Sequence, residues 1–176
     1  MFKNPFQIAI VFALLALVVK LTIYLLGAQH GDMERYIIYI YMLILLLTVF
    51  FGIRSNKVTN GTTTFGEDFK AGARTSAFFA VLVAVITFVY YAKIDADFFA
   101  IKKAPLFEKL ALDANEKTAT MNKEELTAFL SNQILGINMY LSPYFQAMWT
   151  MFGLVFMGLF YALVFTFMMR KVPGFK

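Results

Sequence analysis

Long apolar runs alternate with shorter polar segments along the chain. Four of these runs are close to the ~20 residues that an α-helix needs to cross about 30 Å of hydrocarbon, and they cover residues 6–27, 36–53, 69–92 and 144–169. Inside a bilayer the backbone must satisfy its own hydrogen bonds, so such continuous runs indicate helices. The pattern predicts an all-α integral membrane bundle of four transmembrane helices, forming a single domain over residues 1–176.

The first run also has the position of a secretory signal peptide. It is longer than the apolar region of a signal peptide, which has about 7–15 residues, and Leu26 is a poor residue just before a cleavage site after Ala28. We therefore expect an uncleaved membrane span.

Residues 93–142 are more polar, and their apolar residues recur at helical spacing. Asn122 and Glu125 have the spacing of an N-cap and its partner, and Pro105 fits a first helical position. We expect an extracytoplasmic amphipathic two-helix hairpin between helices 3 and 4, with apolar stripes at Leu106, Phe107, Leu110 and Ala114 and at Leu126, Phe129, Leu130 and Ile134. Three arrangements remain open: the hairpin covers the bundle, lies flat in the membrane interface or docks a partner protein.

Two further helix starts can be read from short motifs. Thr64 and Glu67 have capping-box spacing before the third span. Ser142 followed by Pro143 is typical of an N-cap and a first helical residue, and predicts where the fourth span begins.

Lysine and arginine are unevenly distributed between the short connections. One set of flanks has Lys3, Arg54, Lys57, Lys70, Arg74, Arg170, Lys171 and Lys176, and the opposite short connection has only Arg35. The positive-inside rule then predicts cytoplasmic termini and an extracytoplasmic segment at residues 93–142. Most tyrosines, with Trp149, fall towards the predicted outer interface, which agrees with this orientation.

The amino-acid composition limits the catalytic and binding functions that the chain can have. The chain is 60% hydrophobic and 15% charged, with a net charge of +5, no cysteine and one histidine, His30. Thiol catalysis, disulfides and cysteine-ligated clusters are excluded. A histidine-rich metal site is excluded too, and no basic stripe indicates nucleic acid. We find no catalytic motif and expect no catalytic residue, cofactor or metal; the chain is interpreted as non-enzymatic.

Lys20 is the candidate functional charge within the membrane, because it lies inside the first apolar run. A cation there costs roughly 2.5–3.5 kcal/mol on insertion scales, so it is a functional candidate by default. The alternative is that its stem snorkels outward towards Tyr24 and the headgroups.

A second candidate is a mixed charged cluster on the predicted cytoplasmic side. It consists of Arg54, Lys57, Glu67, Asp68, Lys70 and Arg74. Glu67 and Lys70 are three residues apart and can pair on a helix. The cluster either sets topology and contacts headgroups, or binds an anionic lipid or a partner.

Small residues recur every four positions on two spans. This candidate helix-packing stripe consists of Gly72, Ser76, Ala80 and Ala84 on the third span and Gly158 and Ala162 on the fourth. Small residues let helices approach closely in lipid. The stripe predicts either contact between these two spans or self-association.

Several segments resemble a known family. They are Lys3-Asn-Pro5, the stretch from Thr64 to Gly72 (Thr-Phe-Gly-Glu-Asp-Phe-Lys-Ala-Gly), the exit from the third span at 91–98, and Ser142-Pro-Tyr with Met169-Arg-Lys171 around the fourth. Together they are similar to the bacterial domain-of-unknown-function 4199 family of small four-helix membrane proteins. The resemblance implies four spans in a bacterial cytoplasmic (inner) membrane, and no catalytic residues.

The function that these features favour is that of a non-enzymatic accessory or scaffold subunit of a bacterial envelope complex. Its partners would be membrane lipid and either another membrane protein or a second copy of the chain. The alternative is a small homo-oligomeric transporter or channel. A membrane enzyme is a third hypothesis, for which no residue can be nominated.

Overall fold

The computed structural model describes residues 4–29, 31 and 33–171, and helix dominates these residues. Six α-helices follow in order, α1 (Pro5–Leu25), α2 (Met33–Asn60), α3 (Phe65–Val89), α4 (Phe98–Lys117), α5 (Lys123–Tyr140) and α6 (Pro143–Lys171), with a short π-helical segment, Tyr90–Ile94, directly after α3. The described residues contain no β-strand. Lys3, His30 and Lys176 lie outside the described residues, as does the side chain of Arg35.

Four helices are long and apolar enough to cross a membrane, at Pro5–Leu25, Tyr36–Asn60, Phe65–Ile94 and Pro143–Lys171. Only 22–39% of the residues in their most apolar windows are buried within the protein. Large apolar side chains such as Val18, Leu43 and Phe156 point outward instead. Such surfaces suit lipid contact, since lipid imposes no cost on exposed apolar groups. The chain is therefore a multi-pass membrane protein, as the sequence predicts.

Helix starts follow the capping motifs. Asn4 accepts a hydrogen bond from the backbone N–H of Phe6 at 2.9 Å before Pro5 begins α1. Ser142 Oγ accepts from the Phe145 N–H at 3.2 Å, and Pro143 is the first residue of α6. These side chains satisfy N–H groups that have no partner inside the helix.

The chain divides into two compact units. The first comprises Met1–Ile86 with Trp149–Lys176, and the second comprises Thr87–Met148. In the first unit, α1 contributes a face of alanines, Ala9, Ala13 and Ala16, which are at most 3% exposed. Bulkier core residues come from α2 and α3, namely Ile44, Leu45, Val49, Ile53, Phe79 and Val83.

Close approach of the helices in the first unit depends on glycine. A Cβ at Gly52 of α2 would overlap Thr75 of α3, and a Cβ at Gly158 of α6 would overlap Ser76 of α3. At Gly72 a Cβ would lie 3.0 Å from the side chains of Ala162 and Ile53. Small residues therefore set how closely α2 and α6 pack on α3, as expected where packing drives association in lipid.

In the second unit, an aromatic cluster joins the π-helical segment to the start of α4. The ring of Tyr91 lies 4.7 Å from that of Phe98 and 5.0 Å from that of Phe99, between centroids. Pro105 lies inside α4 rather than at its first position, so the sequence-based start was wrong. The helix begins earlier, at Phe98, where burying both phenylalanines against Tyr91 outweighs the loss of one backbone hydrogen bond at proline.

Helices α4 and α5 contact each other and run antiparallel. Lys103 Nζ donates to Asn138 Oδ1 at 2.9 Å, and Lys117 Nζ lies 4.5 Å from the centroid of the Phe129 ring. Asn122 and Glu125 form the expected capping box at the start of α5. No residue of α5 is fully buried, and Leu135 and Met139 are 68% and 53% exposed. Its apolar residues are thus not confined to the stripe read from the sequence.

Candidate functional site

The candidate site lies in the first unit, where α2 ends, α3 begins and α6 ends. Gly61 adopts a positive φ of 70°, and its N–H bonds to the Lys57 carbonyl at 2.9 Å, which closes the C-terminus of α2. Three residues later Thr64 caps the start of α3. Its N–H donates to Glu67 Oε2 at 2.7 Å, and its hydroxyl accepts from the Glu67 N–H at 3.3 Å. This tight turn brings Asp68 towards the last turns of α2.

The carboxylate of Asp68 is completely buried and contacts four groups. Thr63 Oγ1 donates to Oδ1 at 2.7 Å and Asn56 Nδ2 donates to the same oxygen at 3.4 Å. Lys57 Nζ lies 3.1 Å from Oδ2, and Arg170 Nη2 lies 3.4 Å from it. We call Asp68, Lys57, Arg170, Thr63 and Asn56 the Asp68 network. It joins three segments that are distant in sequence.

Arg170 is the member contributed by α6. Its Nη2 also donates to the Thr63 carbonyl at 2.6 Å, and its Cζ lies 5.9 Å from the centroid of the Phe65 ring. An arginine side chain can make these contacts together because its planar guanidinium presents several N–H donors. The contacts tie the end of α6 to the turn between α2 and α3.

Electrostatics explains why an acid is tolerated here. An ionised carboxylate without partners is very costly to bury, whereas one with opposite charges and hydrogen-bond donors is tolerated. Asp68 also lies in the first turns of α3, where the helix dipole favours negative charge. The side chains of Lys57 and Arg170 remain 21% and 35% exposed, so solvent reaches the two cations but not the carboxylate.

The structure brings together part of the charged cluster chosen from the sequence. Lys57 and Asp68 meet, whereas Arg54, Lys70 and Arg74 are exposed. Glu67 bonds with Thr64 in the capping box. Sequence reasoning missed Arg170 as a member of this site and used it for the orientation and for the family resemblance.

A signal for Arg170 was present in the small-residue stripes. Asp68 precedes Gly72 by four residues, and Arg170 follows Ala162 by eight. Since Ser76 meets Gly158 and Gly72 meets Ala162, one further step in antiparallel register places Asp68 opposite Thr166. Arg170 lies one turn further along α6, and its long side chain reaches back to the Asp68 carboxylate. Ala80 and Ala84 continue the α3 stripe and are buried.

Thr166 occupies the turn between Ala162 and Arg170. It is fully buried, and its hydroxyl has no hydrogen-bond partner within the described structure. The same register places it level with Asp68. A buried hydroxyl adds a polar group to this end of the α3–α6 contact.

Lys20, the other candidate charge, lies on the buried face of α1. Lys20 is 5% exposed, and Ala16 and Ile23 on the same helix are also buried. An outward, snorkelling side chain would be exposed, so the structure favours the inward arrangement.

Among the described residues, no group of three or more His, Cys, Asp and Glu side chains could hold a metal ion. The second unit contains an open cavity of about 530 Å³ beside α4. Its lining is chiefly small and apolar, with Ala96, Ala100, Ala104 and Phe107, and Lys103 is its charged member.

Comparison with known proteins assigns the chain to a family. A family model described as a protein of unknown function (DUF4199) matches residues 7–171, which include the Asp68 network and all four candidate spans except the first two residues of the first span. No curated protein and no solved structure matches the chain. Because the family model covers nearly the whole sequence, this membrane protein belongs to the DUF4199 family, as its sequence resemblance predicted.

Proposed function

We propose that this protein is a non-enzymatic accessory or scaffold subunit of an envelope complex in the bacterial inner membrane, with both termini in the cytoplasm. The observation that carries the proposal is the complete burial of the Asp68 carboxylate with both of its oxygens engaged. A general acid or base must reach the proton that it transfers. The Asp68 network instead holds α2, α3 and α6 together at one end, which suits a rigid support.

The proposed orientation rests on charge. The end of the first unit that contains the Asp68 network also has the exposed residues Arg54, Lys70 and Arg74. Short cationic flanks favour the cytoplasm. With four spans, the segment with α4 and α5 then lies outside as an amphipathic hairpin, and the exposed apolar side chains of α5 offer a surface to a partner membrane protein.

The proposal is tested by mild extraction of the tagged chain from its native membrane, followed by mass determination and identification of stoichiometric components. We expect one defined partner, which must also retrieve this chain when the partner is tagged. Leu135→Ser on α5 should weaken the association, whereas Asn132→Ser, an exposed polar control on the same helix, should not. A lone monomer, with every envelope complex intact after deletion of the gene, would refute the scaffold role.

A second candidate function is a small homo-oligomeric transporter or channel. The burial of Lys20 favours it, because ionisable residues that face a bundle interior often mark ion or substrate pathways. Four spans are few for a complete pathway, so self-association would be required. Flux through liposomes should fall in Lys20→Met and persist in Val18→Met, which changes an exposed residue of the same helix. Equal flux in both variants would remove this candidate.

A further inference from the structure

Positive charge is concentrated at the end of the first unit that contains the Asp68 network. The segment 54–74 and the last two described residues of α6 contain six cationic side chains and two acidic ones, a formal net charge of +4. The cations are Arg54, Lys57, Lys70, Arg74, Arg170 and Lys171. An anionic ligand would therefore meet a favourable field at this end of the molecule.

Two of these cations are held in fixed positions. Lys57 and Arg170 both contact Asp68 Oδ2, so one negative charge faces two positive ones. The hydrogen bonds of Arg170 to Thr63 and Asp68 both use Nη2, whereas a guanidinium has five N–H donors and an ammonium three. Since both side chains are partly exposed, they can offer further donors to a ligand without leaving Asp68.

Apolar surface lies directly beside these cations. On α6, Phe167 and Met168 are 57% and 39% exposed, and on α2, Val58 is 63% exposed. The ring of Phe65, which lies next to Arg170, is also exposed. A ligand that fits both surfaces has an anionic oxygen-rich group for the cations and an apolar part for the neighbouring side chains.

We propose that Arg170 and Lys57 bind the phosphate of an anionic phospholipid, with Asp68 holding the two cations in place. A phospholipid satisfies both requirements, because its phosphate lies at the depth where apolar spans end and its acyl chains cover the exposed apolar residues. Arginine suits the phosphate because it can make two parallel hydrogen bonds to it. Asp68 is a positioning residue, since it acts through its two neighbours.

The experiment is native mass spectrometry of the purified full-length chain, titrated with phosphatidylglycerol or with phosphatidylcholine. We expect tighter binding of phosphatidylglycerol, and a loss of about tenfold in its affinity for Arg170→Gln, the size expected when a charge-assisted hydrogen bond is removed. Arg54→Gln is the matched control, because it makes the same change at an exposed arginine of the same end. Its affinity should stay within about twofold of the parent, as expected for a screened surface charge.

Arg170→Lys and Lys57→Gln cover the case in which Arg170→Gln fails to fold. Arg170→Lys keeps a cation beside Asp68 but removes the planar fork, so affinity should fall while helical circular dichroism is unchanged. Equal affinities for both lipids, or equal losses for Arg54→Gln and Arg170→Gln, would overturn the site. Displacement of the lipid by an equal concentration of inorganic phosphate would also overturn it, since the ligand would then be free phosphate.

Discussion

Replacing Asp68 tests whether the Asp68 network holds the first unit together. Asp68→Ala removes the acceptor of Thr63, Asn56, Lys57 and Arg170 at once. Removing one partner of a fully buried ion pair costs about 3–5 kcal/mol. Here the two cations are 21% and 35% exposed, so water compensates part of the loss. We therefore expect the free energy of unfolding to fall by about 2–4 kcal/mol.

A graded series makes this prediction sharper. Asp68→Asn keeps the shape and one carbonyl acceptor but loses the charge, so it should cost about 1–2 kcal/mol. Glu67→Gln is the control one residue away. Glu67 is exposed and its hydrogen bonds are to Thr64, so we expect a loss below about 1 kcal/mol, as for a helix cap.

The measurement is reversible unfolding in mixed micelles by increasing the fraction of a denaturing detergent, followed by circular dichroism. A double-mutant cycle between Asp68→Asn and Arg170→Gln should give a coupling free energy of at least about 0.5 kcal/mol, because the two side chains are in contact. The reasoning is refuted if Asp68→Ala and Glu67→Gln unfold at the same detergent fraction.

Three further predictions concern packing, capping and topology. Gly158→Ala should destabilise the first unit by about 1–3 kcal/mol in the same unfolding assay, because its methyl group would overlap α3. The control is Gly153→Ala on the same helix. Its methyl group enters open space, so the change should be neutral or stabilising by up to ~1 kcal/mol. Asn122→Ala removes the capping box of α5, so its helical circular dichroism should be lost at a lower temperature than that of the parent, with a decrease of about 1 kcal/mol in the free energy of unfolding. An unchanged transition temperature would contradict this role. A cysteine at Lys117 should react with a membrane-impermeant maleimide in intact spheroplasts, and one at Thr59 should not; the reverse labelling would overturn the proposed orientation.

Features that depend only on residues close together in the sequence could be read from the sequence. The four spans follow from apolar runs, because the cost of placing each residue in hydrocarbon depends chiefly on that residue. The starts of α3, α5 and α6 follow from motifs of two to four residues. The start of α4 was misjudged at Pro105, because contacts of Phe98 and Phe99 decided it.

Contacts between helices were decided by the tertiary structure. Asp68 and Arg170 are 102 residues apart, and although each adjoins a small-residue stripe, the sequence does not give the register between the two stripes. Likewise, the sequence placed Lys20 within a span but left open whether it faces inward or outward. The physical reason is that these spans are apolar on every side, so hydrophobicity specifies that each helix crosses the membrane but not its rotation about its own axis. That rotation is set by close packing at Gly158 and its neighbours, and by the need to partner the buried charge of Asp68.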